Sequence, residues 1–271
     1  MSTSQPSASA SITTTTIMNG GPWPSQRYLE QSEIAALRFE NTKFPLLVIL
    51  DLNGCLVVRQ GLVTELREHV KPFLEYLLQE HYVMIWSSAV ATNVQRMVNK
   101  LLTPEQQTKL VAVWSRGHFN LTPEQYTSKT QVYKQLSGVW GSASIQEQHP
   151  FAGLYPWANW NHHNTVLIDD SEEKAKYEPY NHICIPEFFQ SETPDKPILP
   201  LNAGTTVLSQ VAGYLEWLKH SCNVSNSIMN EPFVLNDQYN LNWQEFWADR
   251  GRMDFVWDEA EAMEVWPPRE E

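Results

Sequence analysis

Cysteine is scarce in this chain of 271 residues. Its three cysteines, Cys55, Cys184 and Cys222, stand far apart and lack the short spacings of a metal site. Their odd number and wide separation argue against a disulfide framework of the kind that stabilises small secreted domains. We therefore expect a reducing environment inside the cell, either nuclear or cytoplasmic.

Long apolar runs are also missing. A membrane-spanning helix needs about 18 or more largely apolar residues in succession, and no segment approaches that length. Residues 1–26 contain no charged side chain and no apolar core, which argues against a secretory signal and an arginine-rich transit peptide. Their serine and threonine content predicts a disordered arm at 1–26. We expect no membrane span.

Basic residues are few, and acidic residues are unevenly distributed. The formal net charge is −12, and residues 231–271 carry eleven carboxylates against three arginines. A protein that binds nucleic acid directly needs a basic surface that neutralises phosphates. No basic stripe is present, so we expect no direct nucleic-acid ligand.

The acidic C-terminal stretch is also rich in aromatic side chains. They are Phe233, Tyr239, Trp243, Phe246, Trp247, Phe255, Trp257 and Trp266. Two interpretations are open. The aromatic residues pack back on the preceding domain, or they bind a protein partner, since Trp and Tyr dominate interface hot spots. We predict an acidic aromatic extension at 223–271.

The central feature that the sequence does contain is an unbroken apolar run that ends on a carboxylate. The run extends from Phe44 to Leu50, and Asp51 follows it. Apolar residues without polar alternation are typical of a strand that is buried on both faces of a parallel sheet. Asp51 would then lie at the carboxyl end of the strand, where ligands bind in open α/β sheets. A turn-forming aspartate followed by Asn-Gly is the alternative.

Apolar strands alternate with helical segments along much of the remaining chain. Further strands are predicted at 82–86, 110–114, 165–168 and 182–185. Helices are predicted at 28–40, 71–78, 90–102, 125–140 and 204–220, with a hairpin before residue 64 and a long loop at 141–163. This alternation predicts βαβ units with right-handed crossovers. The expected fold class is α/β, with a Rossmann-like parallel sheet, helices on both faces and a minimal cap.

Polar groups stand at three of the predicted strand ends. They are Asp51, Ser87 and the pair Asp169-Asp170. In a parallel sheet these ends converge. Clustered carboxylates repel one another unless a cation holds them, and oxygen ligands without His or Cys favour Mg²⁺. The sequence therefore predicts a magnesium site at this edge.

Lysine and histidine residues are further candidates for the site. A lysine from a neighbouring helix would balance the carboxylates and bind a phosphoryl group, and Lys134 and Lys129 are the candidates. The alternative for either lysine is a solvated helix face. The pair His162-His163 lacks partners at ligand spacing, so we expect exposed loop residues there rather than a metal site.

Four motifs, taken in order, resemble those of haloacid-dehalogenase (HAD) phosphotransferases. They are the segment from Asp51 to Leu56, Ser87 after a strand, Lys134 in KQLSGVW, and the segment from Leu167 to Ser171. The sequence looks most like the branch that contains the RNA polymerase II C-terminal-domain phosphatases, the NLI-interacting-factor-like proteins and the Tim50-like import proteins. The resemblance covers roughly residues 43–220. It implies a HAD-type phosphatase-like domain, which we place at 27–222.

The resemblance also implies a reaction and a metal. It makes Asp51 the nucleophile that accepts a phosphoryl group as an aspartyl-phosphate, which divides one difficult displacement into two easier steps. It implies that Mg²⁺ is held by Asp51, the backbone carbonyl of Asn53 and Asp170, with Asp169 beside them. The metal would offset charge on the transferring oxygens.

The resemblance implies a phosphate-binding set as well. Ser87, with Ser88 next to it, would bind the phosphoryl group, and Lys134 would neutralise the phosphate and the nucleophile. Asp169 would orient Lys134 or a water on the metal. The implied substrate is phosphoserine or phosphothreonine in a protein.

Two positions depart from the phosphatase pattern. Asn53 stands where those enzymes have a second aspartate as general acid and base, a role worth about 10²- to 10⁴-fold in rate. Cys55 replaces the usual threonine and is a weaker hydrogen-bond donor. Two hypotheses follow: a slowed Mg²⁺-dependent phosphatase, or an inactive or weakly active interaction domain such as a pseudophosphatase or Tim50-like adaptor. A metal-independent dehalogenase is disfavoured, because it needs no adjacent carboxylate pair.

Overall fold

The computed structural model describes residues 22–248, except for 62, 156–157, 190–205 and 237. Most of the predicted N-terminal arm and residues 249–271 of the predicted extension therefore lie outside the described residues. Within those residues, no helix is both long and apolar enough to cross a membrane.

A five-stranded parallel sheet forms the centre of the molecule. Its strands stand in the order β5-β4-β1-β6-β7, and β2 pairs with β3 in a separate antiparallel hairpin. The strands are β1 Leu47–Leu50, β2 Val57–Gln60, β3 Val63–Leu66, β4 Tyr82–Trp86, β5 Leu110–Trp114, β6 Thr165–Asp169 and β7 His182–Cys184. The predicted α/β class with a parallel sheet is confirmed.

Helices cover both faces of this sheet. The helices are α1 Gln26–Glu33, α2 Val70–Glu80, α3 Ala91–Leu101, α4 Pro104–Thr108, α5 Pro123–Thr127, α6 Leu136–Trp140, α7 Ala143–Gln146, α8 Val207–Leu218, α9 Val224–Asn230 and α10 Trp243–Ala248. Short 3₁₀ helices cover Arg116–His118, Glu172–Ala175 and Pro179–Asn181.

Strand β1 is buried on both sides, as its continuous apolar sequence predicts. Val48 and Leu50 belong to a core that also contains the apolar residues of α2, α3 and α8. Leu47 and Ile49 belong to a second core with residues of α6 and α7. Successive side chains of a strand point to opposite faces, so an alternating polar pattern here would have placed polar groups in one of these cores.

The segment 125–140 differs from its predicted helix. Helix α5 ends at Thr127, and the chain is extended before α6 begins at Leu136. The guanidinium of Arg116 donates hydrogen bonds to the carbonyl oxygens of Gln125, Tyr126 and Ser128. These bonds satisfy carbonyl groups at the end of α5, so the helix does not need to continue.

His162 and His163 also differ from expectation. His162 is buried rather than exposed, and its Nδ1 lies 3.1 Å from Ser225 Oγ. His163 is half-buried, and the two imidazole rings lie 3.9 Å apart. Burial lowers the pKa of His162 to about 4. The pair therefore belongs to the packing between the loop before β6 and α9, which the long sequence separation concealed.

The described part of the C-terminal extension packs on the domain. Phe246 is buried in the core that includes α2 and α8, and Phe233, Tyr239 and Trp243 pack against that core. The Tyr239 ring lies 4.9 Å from the ring of Tyr214 on α8. For residues 233–246 the aromatic side chains thus follow the first of the two interpretations, packing on the preceding domain.

Candidate active site

The carboxyl ends of two adjacent strands, β1 and β6, bring the predicted acidic groups together. Asp51 follows β1, Asp169 ends β6 and Asp170 comes next in the chain. One oxygen from each of these carboxylates lies within 4.8 Å of the others. Asp51 and Asp169 are almost fully buried. Such a set of hard oxygen donors fits the ligand preference of Mg²⁺.

Lys134 completes this cluster, whereas Lys129 is exposed and lies outside it. Lys134 Nζ lies 2.9 Å from Asp51 Oδ1 and 2.5 Å from Asp169 Oδ2, and the side chain is fully buried. Lys134 comes from the extended segment before α6 rather than from a helix. Its backbone N–H donates to the carbonyl of Lys174 at 2.7 Å, which holds this segment beside the end of β6.

A second lysine, which the sequence interpretation missed, contacts all three carboxylates. Lys174 Nζ lies 2.9 Å from Asp169 Oδ1, 3.2 Å from Asp170 Oδ1 and 3.5 Å from Asp51 Oδ2. Its spacing of four residues from Asp170 was the available signal, because groups at that spacing lie on one side of a helical turn. Lys174 belongs to the 3₁₀ helix Glu172–Ala175, and Asp170 lies two residues before that helix begins.

The two lysines affect the neighbouring carboxyl groups differently. Burial raises the pKa of Asp169, but the ammonium groups of Lys134 and Lys174 outweigh it and hold that pKa below its ordinary value. Burial and the adjacent Asp169 and Asp51 charges raise the pKa of Asp170 to about 6, although Lys174 opposes this shift. Three carboxylates thus share two ammonium groups, and the site is short of positive charge.

Gly54 allows the loop after β1 to lie against the Asp170 carboxylate. Its φ is +88°, and a Cβ at this position would lie 2.7 Å from Asp170 Oδ2. Both the left-handed backbone and the close approach require glycine. Arg67 secures this loop, because its guanidinium donates to the carbonyl oxygens of Cys55 at 2.5 Å and Pro186 at 2.6 Å. The sequence interpretation did not identify Arg67.

The other predicted site residues have more local contacts. Ser87 is buried directly after β4, beside β1, and its Oγ accepts a long 3.4 Å hydrogen bond from the backbone N–H of Ala89. Ser88 is half-buried next to it. Asn53 is exposed, and its Oδ1 accepts a hydrogen bond from the Arg59 backbone N–H at 2.9 Å. The Asn53 amide therefore ties the loop after β1 to the hairpin.

A family model described as NLI interacting factor-like phosphatase matches residues 46–224, the part of the chain that contains every member of the cluster. The chain belongs to this family. The predicted resemblance to the C-terminal-domain phosphatase branch is thereby confirmed.

Relatives of this phosphatase family resemble the chain over different lengths. An FCP1 homology domain-containing protein of Schizosaccharomyces pombe is 34% identical over 226 residues, which cover 79% of this chain and 86% of the relative. A CTD phosphatase-like protein of Invertebrate iridescent virus 6 is 22% identical over 126 residues, 46% of this chain and 63% of the relative.

Two solved structures are also similar to part of the chain. One is fission yeast RNA polymerase II CTD phosphatase Fcp1 bound to beryllium fluoride, with 12% identity, a TM-score of 0.35 and coverage of 60% of this chain and 43% of the other. The other is Fcp1, described as an essential RNA polymerase II CTD phosphatase, with 14% identity, a TM-score of 0.36 and coverage of 60% and 44%. The chain thus spans less than half the length of either solved phosphatase.

Proposed function

We propose that this member of the phosphatase family hydrolyses phosphoserine or phosphothreonine in proteins through an aspartyl-phosphate on Asp51. The observation that carries the proposal is the buried contact between Lys134 and Asp51 at the carboxyl end of β1. An ammonium group there can neutralise a phosphate that approaches the same oxygen atoms. Ser87, with Ser88 beside it, provides hydroxyl groups for the phosphoryl oxygens.

The reaction has two balanced steps. A carboxylate oxygen of Asp51 attacks phosphorus, and the bond from phosphorus to the serine or threonine oxygen breaks with its electron pair left on that oxygen, which takes a proton. A water oxygen then attacks phosphorus, the bond to Asp51 breaks, and inorganic phosphate leaves with the carboxylate restored. The proton that the water loses balances the proton that the alcohol gained.

The carboxylate cluster fits a bound Mg²⁺. Asp51 and Asp170 would hold the ion together with the backbone carbonyl of Asn53, and Asp169 lies beside them with its oxygens directed to the two lysines. When bound, Mg²⁺ supplies positive charge that offsets the charge of the transferring oxygens.

Asn53 limits the rate in this proposal. Its amide cannot release a proton to the departing alkoxide or take one from the attacking water. Asn53 also accepts a hydrogen bond from the hairpin, and this contact supports the second candidate function, a weakly active or inactive domain that binds a phosphoprotein or another protein partner. The two functions differ in how fast phosphoserine peptides are hydrolysed through a phosphoenzyme.

Restoring the acid distinguishes them. Asn53→Asp should raise phosphoserine-peptide turnover by about 10²-fold, the low end of the contribution of a positioned proton donor. Aryl phosphates should gain less in the first step, because a nitrophenolate leaves without a proton. The measurement is steady-state phosphate release in the presence of Mg²⁺, combined with detection of phosphorylated Asp51.

Asp51→Asn is the matched control, since it removes the nucleophile while it keeps the side-chain size, and it should form no phosphoenzyme. If Asn53→Asp leaves peptide hydrolysis unchanged while Mg²⁺ still binds, the slowed-phosphatase proposal is wrong and the interaction domain is preferred.

A further inference from the structure

Lys174 contacts the same three carboxylates that form the candidate metal cluster. Its Nζ is within 3.5 Å of one oxygen from each of Asp51, Asp169 and Asp170. These are the same three residues whose oxygens form the candidate metal cluster. An ammonium group and a divalent ion cannot both occupy one set of oxygens at contact distance, because their like charges repel.

The two lysines are not equivalent in this respect. Lys134 is fully buried and contacts Asp169 Oδ2, whereas Lys174 is 15% exposed and makes its shortest carboxylate contact with Asp169 Oδ1. The backbone carbonyl of Lys174 accepts the hydrogen bond from the Lys134 N–H, so its main chain is fixed. Only the partly exposed side chain is left to move. Its ammonium group can stay in contact with Asp169 Oδ1 while it moves away from the oxygens of Asp51 and Asp170.

The charge balance gives a reason for such a movement. With both lysines in place, three carboxylates face two ammonium groups. A phosphate dianion would add more negative charge to a site that is already short of positive charge, so an additional cation is required before phosphate binds. Conversely, without Lys174 the metal-free carboxylates of Asp51 and Asp170 would repel each other with no cation between them.

We propose that the Lys174 ammonium group neutralises the metal-binding carboxylates while no metal is bound. Mg²⁺, when it binds, displaces this ammonium group from Asp51 and Asp170. This inference rests on the proposed function, because it assumes the same metal site. Lys174 then has two opposite effects. It stabilises the metal-free protein, and it weakens the apparent affinity for Mg²⁺, since the ion must displace it.

The test measures Mg²⁺ binding rather than catalysis. Isothermal titration calorimetry on Lys174→Met should show Mg²⁺ binding that is about tenfold tighter or more, and the Mg²⁺-free melting temperature should be lower than that of the wild type. Saturating Mg²⁺ should close this gap in melting temperature, because the ion restores the missing charge. Lys174→Gln is a second variant, with a polar side chain, should the methionine protein fail to fold.

Lys176→Met is the matched control. Lys176 lies two residues away, is about half exposed and contacts Glu173 rather than the cluster, so this variant should bind Mg²⁺ as the wild type does. Unchanged or weaker Mg²⁺ binding in the Lys174 variants, with binding abolished by Asp170→Asn, would overturn the role of Lys174 and leave the metal site standing. Absence of Mg²⁺ binding in the wild type and in both Lys174 variants would overturn the metal site and this inference together.

Discussion

The carboxylate cluster and the C-terminal segment are both packed against the domain, but by different forces. At the cluster, five buried or partly buried charged groups contact one another, and each carboxylate has at least one ammonium partner. The segment from Phe233 to Phe246 contacts α8 and α2 mainly through aromatic and aliphatic side chains. The first contact depends on the pairing of charges, and the second depends on complementary shape.

This difference determines which kind of mutation destabilises each region. Removal of one group from the cluster leaves another charge buried without its partner, which costs more than the lost attraction. The C-terminal segment is instead vulnerable to an added atom. A Cβ at Gly213 of α8 would overlap the carbonyl oxygen of Tyr239 and lie 2.7 Å from its carbonyl carbon.

The largest expected effect comes from removing the buried cation. Lys134→Met, studied without Mg²⁺, should lower the free energy of unfolding by about 3–5 kcal/mol, because Asp51 and Asp169 lose the fully buried one of the two ammonium groups that they share. Urea denaturation measures this loss.

Lys129→Met is the control, since Lys129 is exposed and should change stability by less than about 0.5 kcal/mol. Equal stabilities for the two variants would mean that charge pairing within the cluster does not stabilise the fold. The cluster would then no longer differ from the C-terminal segment in the way described.

A smaller effect is expected from a methyl group in the C-terminal contact. Gly213→Ala should lower the free energy of unfolding by about 1–3 kcal/mol, because the backbone of Tyr239 must shift. Limited proteolysis should cleave the segment after Phe233 faster in this variant than in the wild type.

Gly138→Ala in α6 is the matched control, because a Cβ there meets no atom within 4 Å. Alanine favours a helix over glycine by about 1 kcal/mol, so this control should be neutral or slightly stabilised. A stabilised Gly213→Ala protein would show that the segment does not rest on α8 as described.

The smallest effect tests a buried carboxyl group that forms no ion pair with any residue that the structure describes. Glu178 accepts hydrogen bonds from the backbone N–H groups of Leu136 at 2.8 Å and Ser137 at 3.3 Å, and burial raises its pKa to about 7. Between the unfolded pKa near 4.5 and the folded pKa, the folded state holds a proton that the unfolded state has lost. The stability contributed by this proton is therefore lost as the pH rises.

The free energy of unfolding should accordingly fall from pH 5 to pH 7, by about 1 kcal/mol per pH unit from this group. Glu178→Gln should make the fall less steep, whereas Glu172→Gln, at an exposed position, should not. Denaturation curves at several pH values measure the slopes. Parallel slopes for wild type and Glu178→Gln would contradict the assignment.

The sheet could be predicted because its strands are short apolar runs with helices between them. Strand β1 shows this best, since both of its faces are buried and no polar residue interrupts it. Helix 125–140 was predicted wrongly because the signal that ends α5 is tertiary: the guanidinium of Arg116 reaches from another element to its last carbonyl groups. Local sequence could not supply that contact.

The acidic part of the candidate site could be predicted from strand ends, and its cations only in part. Lys134 was one of two candidates, and the structure separates it from Lys129 by burial. Lys174 and Arg67 were missed because neither stands directly at the end of a strand of the parallel sheet. At such positions a buried charged residue has the same local sequence pattern as an exposed one. Only the burial seen in the structure distinguishes the two.

The central place of β1 in the sheet also matters while the protein is being synthesised. Leu47 pairs with Tyr82 on one side and with Thr165 on the other. A ribosome makes the first neighbour soon after β1 and the second only much later. Until β6 emerges, β1 has one open edge of unpaired backbone groups flanked by apolar side chains, the kind of edge that recruits other chains. We therefore expect a nascent chain that stalls before Thr165 to expose this edge to chaperones.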